Sequence, residues 1–357
     1  MCNIAGYTGN KRAAPILIEM LRREQYIDGG ACTGIATIHE GKLYHRKVVG
    51  DLDVLLRETD ALDLPGTTGI AHSRPGGSIQ SHAHPFVDKD EDLAMVLNGT
   101  TRDNNTDEFL DHQAALLQSY LDKGWPIRTA IDGGKRRLSN GMGFHPSELW
   151  TFMVGDIASR TEDKRQGVID GTAYSLNTLP ADIVMLNIHR LLDNTITVGR
   201  ITRPMVVGIG DGESYAATTA LAFPKDAGIR NIVPVPVCSV TQITPGAVHV
   251  TDKKLGNVRV EECTARMYAL AYQRLEAILI GQKDSPKSVY DFGFHEGSRD
   301  MWSEPYVDSI HPKEGGLLKP TAALMYEILW AFECEGRLHK GLGERNGHPI
   351  TTFWLDC

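Results

Sequence analysis

The second residue of the chain is a cysteine, and its position could make its thiol a nucleophile. Removal of Met1 would leave Cys2 with a free α-amino group beside its sulfur. A cysteine thiol normally titrates near ~8.5 and an α-amino group near ~8, so this amine is a base of suitable strength to activate the thiol near neutral pH. The alternative interpretation is that Cys2 is an ordinary small residue next to the start of the sequence.

A thiolate that attacks an amide also needs donors where the carbonyl oxygen becomes negative. Asn98-Gly99 offers a side-chain amide and a sterically open backbone N–H, although this dipeptide is also a common turn. Arg74 could pair bidentately with a substrate carboxylate, or it could be a solvated charge at a strand end. Cys2, Asn98 and Gly99 are therefore candidate catalytic residues, and Arg74 is a candidate substrate-binding residue.

Two histidines could form a metal pair. His82-Ala83-His84 would place two imidazoles on one face of an extended strand, but no nearby Cys, Asp or Glu completes a four-ligand set. We interpret them as structural histidines and expect neither a metal nor a cofactor.

The elements that must position these residues follow from hydrophobic periodicity and turn signals. The pattern predicts strands that deliver Arg74 and Asn98 to their ends, and a hairpin turn rather than a phosphate loop at Asp211-Gly212. The predicted strands are 3–7, 35–38, 43–49, 67–74, 93–97, 181–187, 195–199, 205–210 and 214–217, and the predicted helices are 13–26, 51–62, 108–123, about 148–157, 260–280 and 321–337. The rest of 132–174 stays unassigned, and 283–319 is predicted to be rich in loops.

Composition limits the class of protein. The chain has 357 residues, of which 41% are hydrophobic and 23% charged, which is typical of a globular protein with one large or two smaller domains. The net charge is -8, and basic residues are scattered apart from Lys135-Arg136-Arg137, which argues against nucleic acid as a partner and favours a small molecule. No apolar run approaches the ~18 residues of a membrane span, and the six cysteines without a CxxC pair favour the cytoplasm.

Several segments resemble, in order, the glutaminase domain of class II glutamine amidotransferases, and the likeness is greatest to glucosamine-6-phosphate synthases. The segments that carry the resemblance are 1–7, 18–23, 33–36, 69–74, 83–85, 97–99 and 207–213. The resemblance implies an N-terminal-nucleophile hydrolase of the α+β class, a four-layer αββα sandwich of two antiparallel sheets over residues 2–250 with an insertion at about 132–174. Residues 251–357 are then predicted to be a mostly helical C-terminal extension that packs on the core.

Residue by residue, the resemblance implies that Cys2 is the nucleophile and its α-amino group the base, and that Asn98 and Gly99 form the oxyanion hole. It also implies that Arg74 holds the α-carboxylate of a glutamine-like substrate and that His72 is a substrate-binding residue. Gly124-Trp125 matches a family motif, and counting on from it places Asp132 where the family has the aspartate that binds the α-amino group.

The sequence departs from the family pattern around the pocket. The family's Arg-Trp-Ala-Thr-His lid becomes Arg74-Pro75-Gly76-Gly77-Ser78, and Leu97 and Asn3 replace a His and a Gly. The Arg of the family's Tyr-Arg-Gly turn is missing at 26–29. The lid and the pocket wall are therefore altered, so the accepted amide need not be free glutamine.

We therefore expect hydrolysis of the side-chain amide of glutamine or a γ-glutamyl amide through a thioester on Cys2. One alternative is a glutaminase subunit that supplies ammonia to a separate synthase subunit, because the 107 residues after Val250 are too few for the sugar-converting domains of a synthase. Another is a non-catalytic binding protein on the same scaffold. Whether the chain forms a homo-oligomer is left open.

Overall fold

The structure of this protein is a computed structural model, and it describes residues 2–100, 107–133, 136–256, 259–260, 263–292, 317–318 and 321–356. The strands are β1 Asn3–Thr8, β2 Cys32–His39, β3 Lys42–Val49, β4 Thr68–Arg74, β5 Phe86–Val87, β6 Leu93–Thr100, β7 Ile131–Asp132, β8 Met142–Gly143, β9 Asp182–His189, β10 Ile196–Arg200, β11 Val206–Ile209, β12 Ser214–Ala217, β13 Asn231–Pro234, β14 Ser239–Thr244, β15 Ala247–Val250, β16 Arg259–Val260, β17 Lys287–Ser288, β18 Leu317–Leu318, β19 Leu338–Arg345 and β20 His348–Leu355.

The helices are α1 Ala13–Asp28, α2 Leu52–Glu58, α3 Asp107–Asp122, α4 Pro146–Arg160, α5 Lys164–Thr178, α6 Ala265–Leu279, α7 Val289–Phe292 and α8 Thr321–Cys334. Short 3-10 helices occur at Ala61–Asp63, Gln80–His82 and Ala220–Ala222. None of the helices in the described ranges is both long enough and apolar enough to cross a membrane.

Two antiparallel sheets stack face to face. Sheet A has seven strands in the order β13-β11-β12-β1-β4-β2-β3, and sheet B has six in the order β15-β14-β10-β9-β6-β5. One core lies between the sheets, a second lies between sheet A and α1 with α2, and a third lies between sheet B and α3, α4 and α5. This arrangement confirms the predicted four-layer αββα sandwich.

Strand β1 is buried along its whole length because it is covered on both faces. Ala5 and Tyr7 face the core under α1, whereas Ile4 faces the core between the sheets. A Cβ on Gly6 would come within 2.9 Å of the Leu186 side chain on sheet B, so Gly6 allows the sheets to approach closely. The start of the chain is thus held in the centre of the molecule.

The C-terminal extension has a hydrophobic core of its own that includes residues of the sandwich. Ile27 from α1 and Leu221 pack in one cluster with apolar residues of α6, α7, α8 and β20. Strands β17, β20 and β19 form a three-stranded antiparallel sheet. The β19–β20 hairpin lies in a region that was predicted to be mostly helical. The domain boundaries and the insertion at 132–174 stay predictions.

Most predicted elements are present, but strands β13, β14 and β15 were not predicted and several other predictions differ from the structure. Strand β6 continues to Thr100 instead of stopping at Leu97, the segment Gln80–His82 is a 3-10 turn instead of an extended strand, and two helices, α4 and α5, replace the one predicted near 148–157. Met1, Lys135 and most of the predicted loop-rich stretch 283–319 lie outside the described residues.

Candidate active site

Cys2 and Arg74 lie side by side at the end of sheet A. In the β1–β4 ladder Asn3 lies opposite Ser73, so one residue earlier in the same register Cys2 lies opposite Arg74. Arg74 in turn lies opposite Cys32 on β2. Residues directly opposite one another on antiparallel strands share a face of the sheet. The ladder therefore places the predicted nucleophile and the predicted carboxylate-binding residue on neighbouring strands.

Asn98 connects Cys2 to sheet B. The side chain of Asn98 is buried, its Oδ1 accepts a hydrogen bond from the backbone N–H of Cys2 at 3.1 Å, and its Nδ2 donates to the carbonyl of Cys2 at 3.1 Å. An amide NH₂ group has two hydrogens, so the second remains available to a carbonyl oxygen in the site. The alternative interpretation of Asn98-Gly99 as a turn is wrong, because both residues pair with β9.

The backbone N–H of Gly99 points away from the neighbouring strand β9. Gly99 lies opposite Ile183, whose carbonyl accepts from Ile201 and therefore faces β10. In an antiparallel ladder this makes Gly99 and Ile183 a non-hydrogen-bonded pair, so the peptide group of Gly99 faces the other edge of β6. On that edge β5 pairs only with Ala94 and Met95. The N–H of Gly99 is thus not used by the β6–β9 ladder, and its role as an oxyanion-hole donor stays a prediction.

Two further residues hold the backbone around Cys2, and sequence reasoning missed both roles. The hydroxyl of Thr218 donates to the carbonyl of Cys2 at 3.2 Å and accepts from the N–H of Ile4 at 2.9 Å. The Asn3 side chain donates to the carbonyls of Glu24 and Gln25 near the end of α1. Asn3, noted in the sequence only as a departure from the family's Gly, thus connects β1 to α1.

Burial is the main influence on the Cys2 thiol. It raises the pKa of Cys2 above its ordinary value, the charges of Arg74 and Arg203 act in the opposite direction, and Asp28 adds to the increase. A thiol in this setting is protonated near neutral pH, so it needs a base at the moment of attack.

Arg74 is held only by neutral acceptors. Its Nη1 donates to the carbonyl of His82 at 3.3 Å and lies 3.3 Å from Nε2 of His145. No carboxylate forms an ion pair with Arg74 within the described part of the chain. The half-buried guanidinium is therefore free of a competing anion.

Four histidines surround Arg74. The rings of His72 and His84 are 4.0 Å apart, and His82 and His145 are 5.2 Å apart. Burial, with the charge of Arg74 among the smaller causes, lowers the pKa of all four, that of His72 to about 3. Neither these histidines nor any other group of three His, Cys, Asp or Glu side chains in the described ranges has an arrangement that could hold a metal ion. The cluster is neutral at physiological pH.

The other two predicted substrate-binding residues, His72 and Asp132, differ in burial. His72 is completely buried between the sheets, so in this arrangement it supports the site from beneath. Asp132 is exposed on β7 and makes no hydrogen bond or ion pair with Cys2, Arg74 or Asn98. The structure thus brings Cys2, Asn98, Gly99 and Arg74 together, whereas the role of Asp132 stays a prediction.

The extension contacts Asp28, a residue whose charge acts on Cys2. The hydroxyl of Tyr290, on α7, donates to Oδ1 of Asp28 at 2.9 Å, and Asp28 is buried at the end of α1. The charge of Asp28 acts on Cys2, and Cys2 in turn is among the groups that act on Tyr290. No sequence signal connects a residue this far along the chain with the site.

The sequence is similar to curated proteins over most of its length, although no protein-family model matches it. It is 26% identical over 263 residues to the isomerizing glutamine–fructose-6-phosphate aminotransferase of Pyrococcus horikoshii, covering 71% of this chain and 39% of that protein. The enzyme of the same name from Thermosynechococcus vestitus is 27% identical over 255 residues, covering 71% and 36%. The chain therefore spans less than half the length of these relatives.

Two solved structures share the fold. The glutamine phosphoribosylpyrophosphate amidotransferase of Bacillus subtilis superposes with a TM-score of 0.54 at 14% identity, covering 85% of this chain and 64% of that one. A structure described as the allosteric regulatory enzyme of purine biosynthesis gives 0.53 at 15% identity, covering 77% and 58%.

The stacked sheets, with Cys2 at the start of a central strand, define the class: the fold is that of an N-terminal-nucleophile hydrolase. The sequence likeness to the curated relatives supports the next step, a class II glutamine amidotransferase domain. The fold is the one that the resemblance in the sequence predicted, and the sequence likeness agrees with it.

Proposed function

We propose that this chain hydrolyses the side-chain amide of glutamine, or of a glutamine-like γ-glutamyl amide, through a thioester on Cys2. The observation that carries the proposal is the pair of hydrogen bonds between Asn98 and the backbone of Cys2, because they hold an amide donor beside the predicted nucleophile. The names of the curated relatives begin with glutamine, which supports the same substrate class.

In the proposed reaction, removal of Met1 frees the α-amino group of Cys2, and the neutral amine takes the thiol proton as sulfur attacks the amide carbon. The C–S bond forms, and the negative charge that develops on oxygen receives N–H groups from Asn98 and Gly99. The protonated amine gives its proton to the departing nitrogen, the C–N bond breaks, and a thioester remains. Water, deprotonated by the same amine, then attacks the thioester and restores the thiol.

The raised pKa of Cys2 supports an amine base. Because burial favours the neutral thiol, little thiolate exists before the substrate arrives. An α-amino group with an ordinary pKa near ~8 can remove the proton during attack. The backbone nitrogen of Cys2, which becomes this amine, donates a hydrogen bond to Oδ1 of Asn98 at 3.1 Å, and this contact orients it.

Arg74 is proposed to bind the α-carboxylate of the substrate. Its guanidinium has no competing carboxylate within the described ranges, and it lies beside Cys2 in the ladder. Predicted roles for His72 and Asp132 in substrate binding stay predictions.

The released nitrogen has two proposed fates. As a free-standing hydrolase the chain releases ammonia or an amine, and as a glutaminase subunit it delivers ammonia to a separate synthase subunit. We favour the hydrolase, because Tyr290 of the extension bonds to Asp28 near Cys2 and so supplies a wall for a larger substrate within one chain. A cytoplasmic location and a homo-oligomeric state stay predictions.

The central test is whether Cys2 becomes the first residue and forms a covalent adduct. Mass spectrometry of active protein is expected to show Met1 absent and a glutamine-analogue electrophile attached to Cys2. Cys2→Ala is expected to abolish ammonia release from glutamine and γ-glutamyl amides, whereas Cys238→Ala, which removes another free thiol, is expected to retain it. Active protein that keeps Met1 contradicts the mechanism.

The same assay separates the alternatives. Activity that appears only when a candidate synthase is added favours the subunit, and product amination by this chain alone contradicts both fates. A parent protein that binds glutamine but never releases ammonia supports the non-catalytic binding protein.

A further inference from the structure

His145 lies between two N–H donors. Its Nε2 is 3.3 Å from Nη1 of Arg74, and its Nδ1 is 3.3 Å from the backbone N of Ser147 at the start of α4. A neutral imidazole has one nitrogen that accepts a hydrogen bond, and an imidazolium has none. His145 can therefore accept from Arg74 or from Ser147, but not from both.

The surrounding residues keep the imidazole in this position. The ring stacks on Phe86 with centroids 5.0 Å apart, and the backbone N–H of His145 donates to the hydroxyl of Thr129 at 3.0 Å. Burial, reinforced by the charges of Arg74 and Arg136, lowers the pKa of His145 well below its ordinary value, so the ring is neutral. In the free protein one of the two donors therefore lacks His145 as its acceptor.

We infer that His145 is a second carboxylate-binding residue that acts together with Arg74, an inference that rests on the proposed function. When a substrate carboxylate approaches Arg74, the guanidinium N–H groups turn to its oxygens. The proton of His145 moves to Nε2 through solvent exchange, so that Nε2–H donates to the carboxylate while Nδ1 accepts from Ser147. Binding of the anion thus satisfies both donors that compete in the free protein.

The loop after Arg74 carries no basic side chain that could assist Arg74. The loop after Arg74 is Pro75-Gly76-Gly77-Ser78 and its last three residues are exposed, so it brings no imidazole to the pocket. His145 comes from a segment 71 residues further along the chain than Arg74. The helix start that carries His145 therefore supplies a contact that the loop beside Arg74 does not.

Two substitutions separate carboxylate binding from helix capping. His145→Asn keeps an acceptor near the position of Nδ1 for Ser147 but has no group near Nε2, whereas His145→Gln reaches the position of Nε2 and loses the cap. We expect His145→Asn to raise the KM for glutamine about tenfold with kcat changed less than about twofold, and His145→Gln to raise KM less. A residue that only caps α4 gives the reverse order.

A substrate without the α-carboxylate supplies an independent readout. For 4-aminobutanamide, which is glutamine without that group, His145→Asn and the parent are expected to have the same kcat/KM. An equal penalty on both substrates overturns the inference, because it shows a general structural effect.

His189 provides a matched control. It is also a buried histidine whose Nδ1 accepts from the backbone N–H two residues on, that of Leu191 at 3.2 Å, but it does not contact Arg74. His189→Asn is expected to leave the KM for glutamine unchanged. If it raises KM as much as His145→Asn does, the effect is not specific to the pocket and the inference fails.

Calorimetric titration with glutamate separates this inference from the proposed reaction. A parent that binds glutamate without hydrolysing glutamine contradicts the proposed function, and weaker glutamate binding by His145→Asn then still supports the carboxylate site. Equal glutamate affinity in the parent and His145→Asn overturns the inference whether or not the protein is an amidase.

Discussion

His72 lies beneath Arg74 with its ring against His84, and it should make the stability of the protein depend on pH. Burial and the charge of Arg74 lower the pKa of His72 to about 3, whereas a histidine in an unfolded chain titrates near ~6.5. Between these values the unfolded state binds more protons than the folded state. The stabilisation is complete above the unfolded value and is lost as the pH falls, by up to about 1.4 kcal/mol per pH unit.

The prediction is tested by comparing the parent with His72→Gln in urea unfolding between about pH 7 and about pH 4.5. The free energy of unfolding of the parent is expected to fall more steeply with decreasing pH, by up to about 1.4 kcal/mol more per pH unit, which corresponds to one proton. Asp88, whose pKa burial raises to about 6, titrates in both proteins and therefore cancels in the comparison. Identical slopes contradict a buried neutral His72.

Residue types identified much of the candidate site, but not its supporting contacts. Cys2, Asn98 and Arg74 could be selected from the sequence because of their chemical groups. A thiol can attack an amide, a side-chain amide can donate to the oxyanion, and a guanidinium group can bind a carboxylate. Thr218 and His145 carry no comparable signal, since their contacts depend on which strand or helix start lies beside Cys2 or Arg74. Counting along the chain placed Asp132 at the site, and the structure leaves it exposed on β7.

At the scale of elements, β6 positions both proposed oxyanion donors, and its geometry requires a glycine at position 99. A Cβ on Gly99 would come within 2.8 Å of the backbone carbonyl oxygen of Asp182 on β9. Backbone atoms of a central strand cannot move aside easily, so Gly99→Ala should push the end of β6 away from its partner. We expect kcat for amide hydrolysis to fall about 100-fold, with little change in KM.

Gly208→Ala is the matched control for Gly99→Ala. A Cβ on Gly208 in β11 would also be too close to a neighbour, but that neighbour is the side chain of Ile229 at 2.6 Å, which can change rotamer. Gly208→Ala is expected to lower the melting temperature without lowering kcat. If both variants lose kcat equally, the effect comes from weakened sheets and not from displaced donors.

Strands were more predictable than the helices of the outer layer, for a physical reason. α5 packs on α4 through glycines: a Cβ on Gly171 would lie 2.8 Å from the carbonyl oxygen of Val154, and one on Gly167 would lie 2.9 Å from Cα of Ala158. Glycine lowers helix propensity, so the glycines that allow this close packing interrupt the helical pattern in the sequence. The β19–β20 hairpin had a usable signal that was overlooked, the Asn346-Gly347 turn, with both residues at positive φ.

For the whole molecule, the bond between Tyr290 and Asp28 connects the extension to the sandwich. Tyr290→Phe removes a hydroxyl that donates to a buried carboxylate, and we expect a loss of about 1 to 3 kcal/mol in the free energy of unfolding. The negative charge of Asp28 is then less satisfied and raises the pKa of Cys2 further, so alkylation of Cys2 near neutral pH should slow.

Tyr272→Phe is the comparison for this prediction. The hydroxyl of Tyr272 bonds to the exposed Glu335 at 2.8 Å, entirely within the extension. The Tyr272→Phe substitution should lower the free energy of unfolding less than Tyr290→Phe, because exposed interactions with a charged group contribute less. It should also leave the alkylation rate of Cys2 unchanged. Equal alkylation rates for the parent and Tyr290→Phe would show that the extension does not influence the nucleophile.

The register that places Cys2 opposite Arg74 also fixes the distance between these two residues. Neighbouring strands in a sheet are held about 4.8 Å apart by their hydrogen bonds, so the distance between the two positions is fixed by the backbone of sheet A and not by a mobile loop. If Arg74 holds the carboxylate as proposed, the strand spacing selects substrates by the distance between their carboxylate and their reactive carbonyl. Asparagine is one methylene shorter, so its carbonyl would not reach Cys2 while Arg74 holds its carboxylate. A group attached to the amide nitrogen lies outside this distance and is not restricted by it.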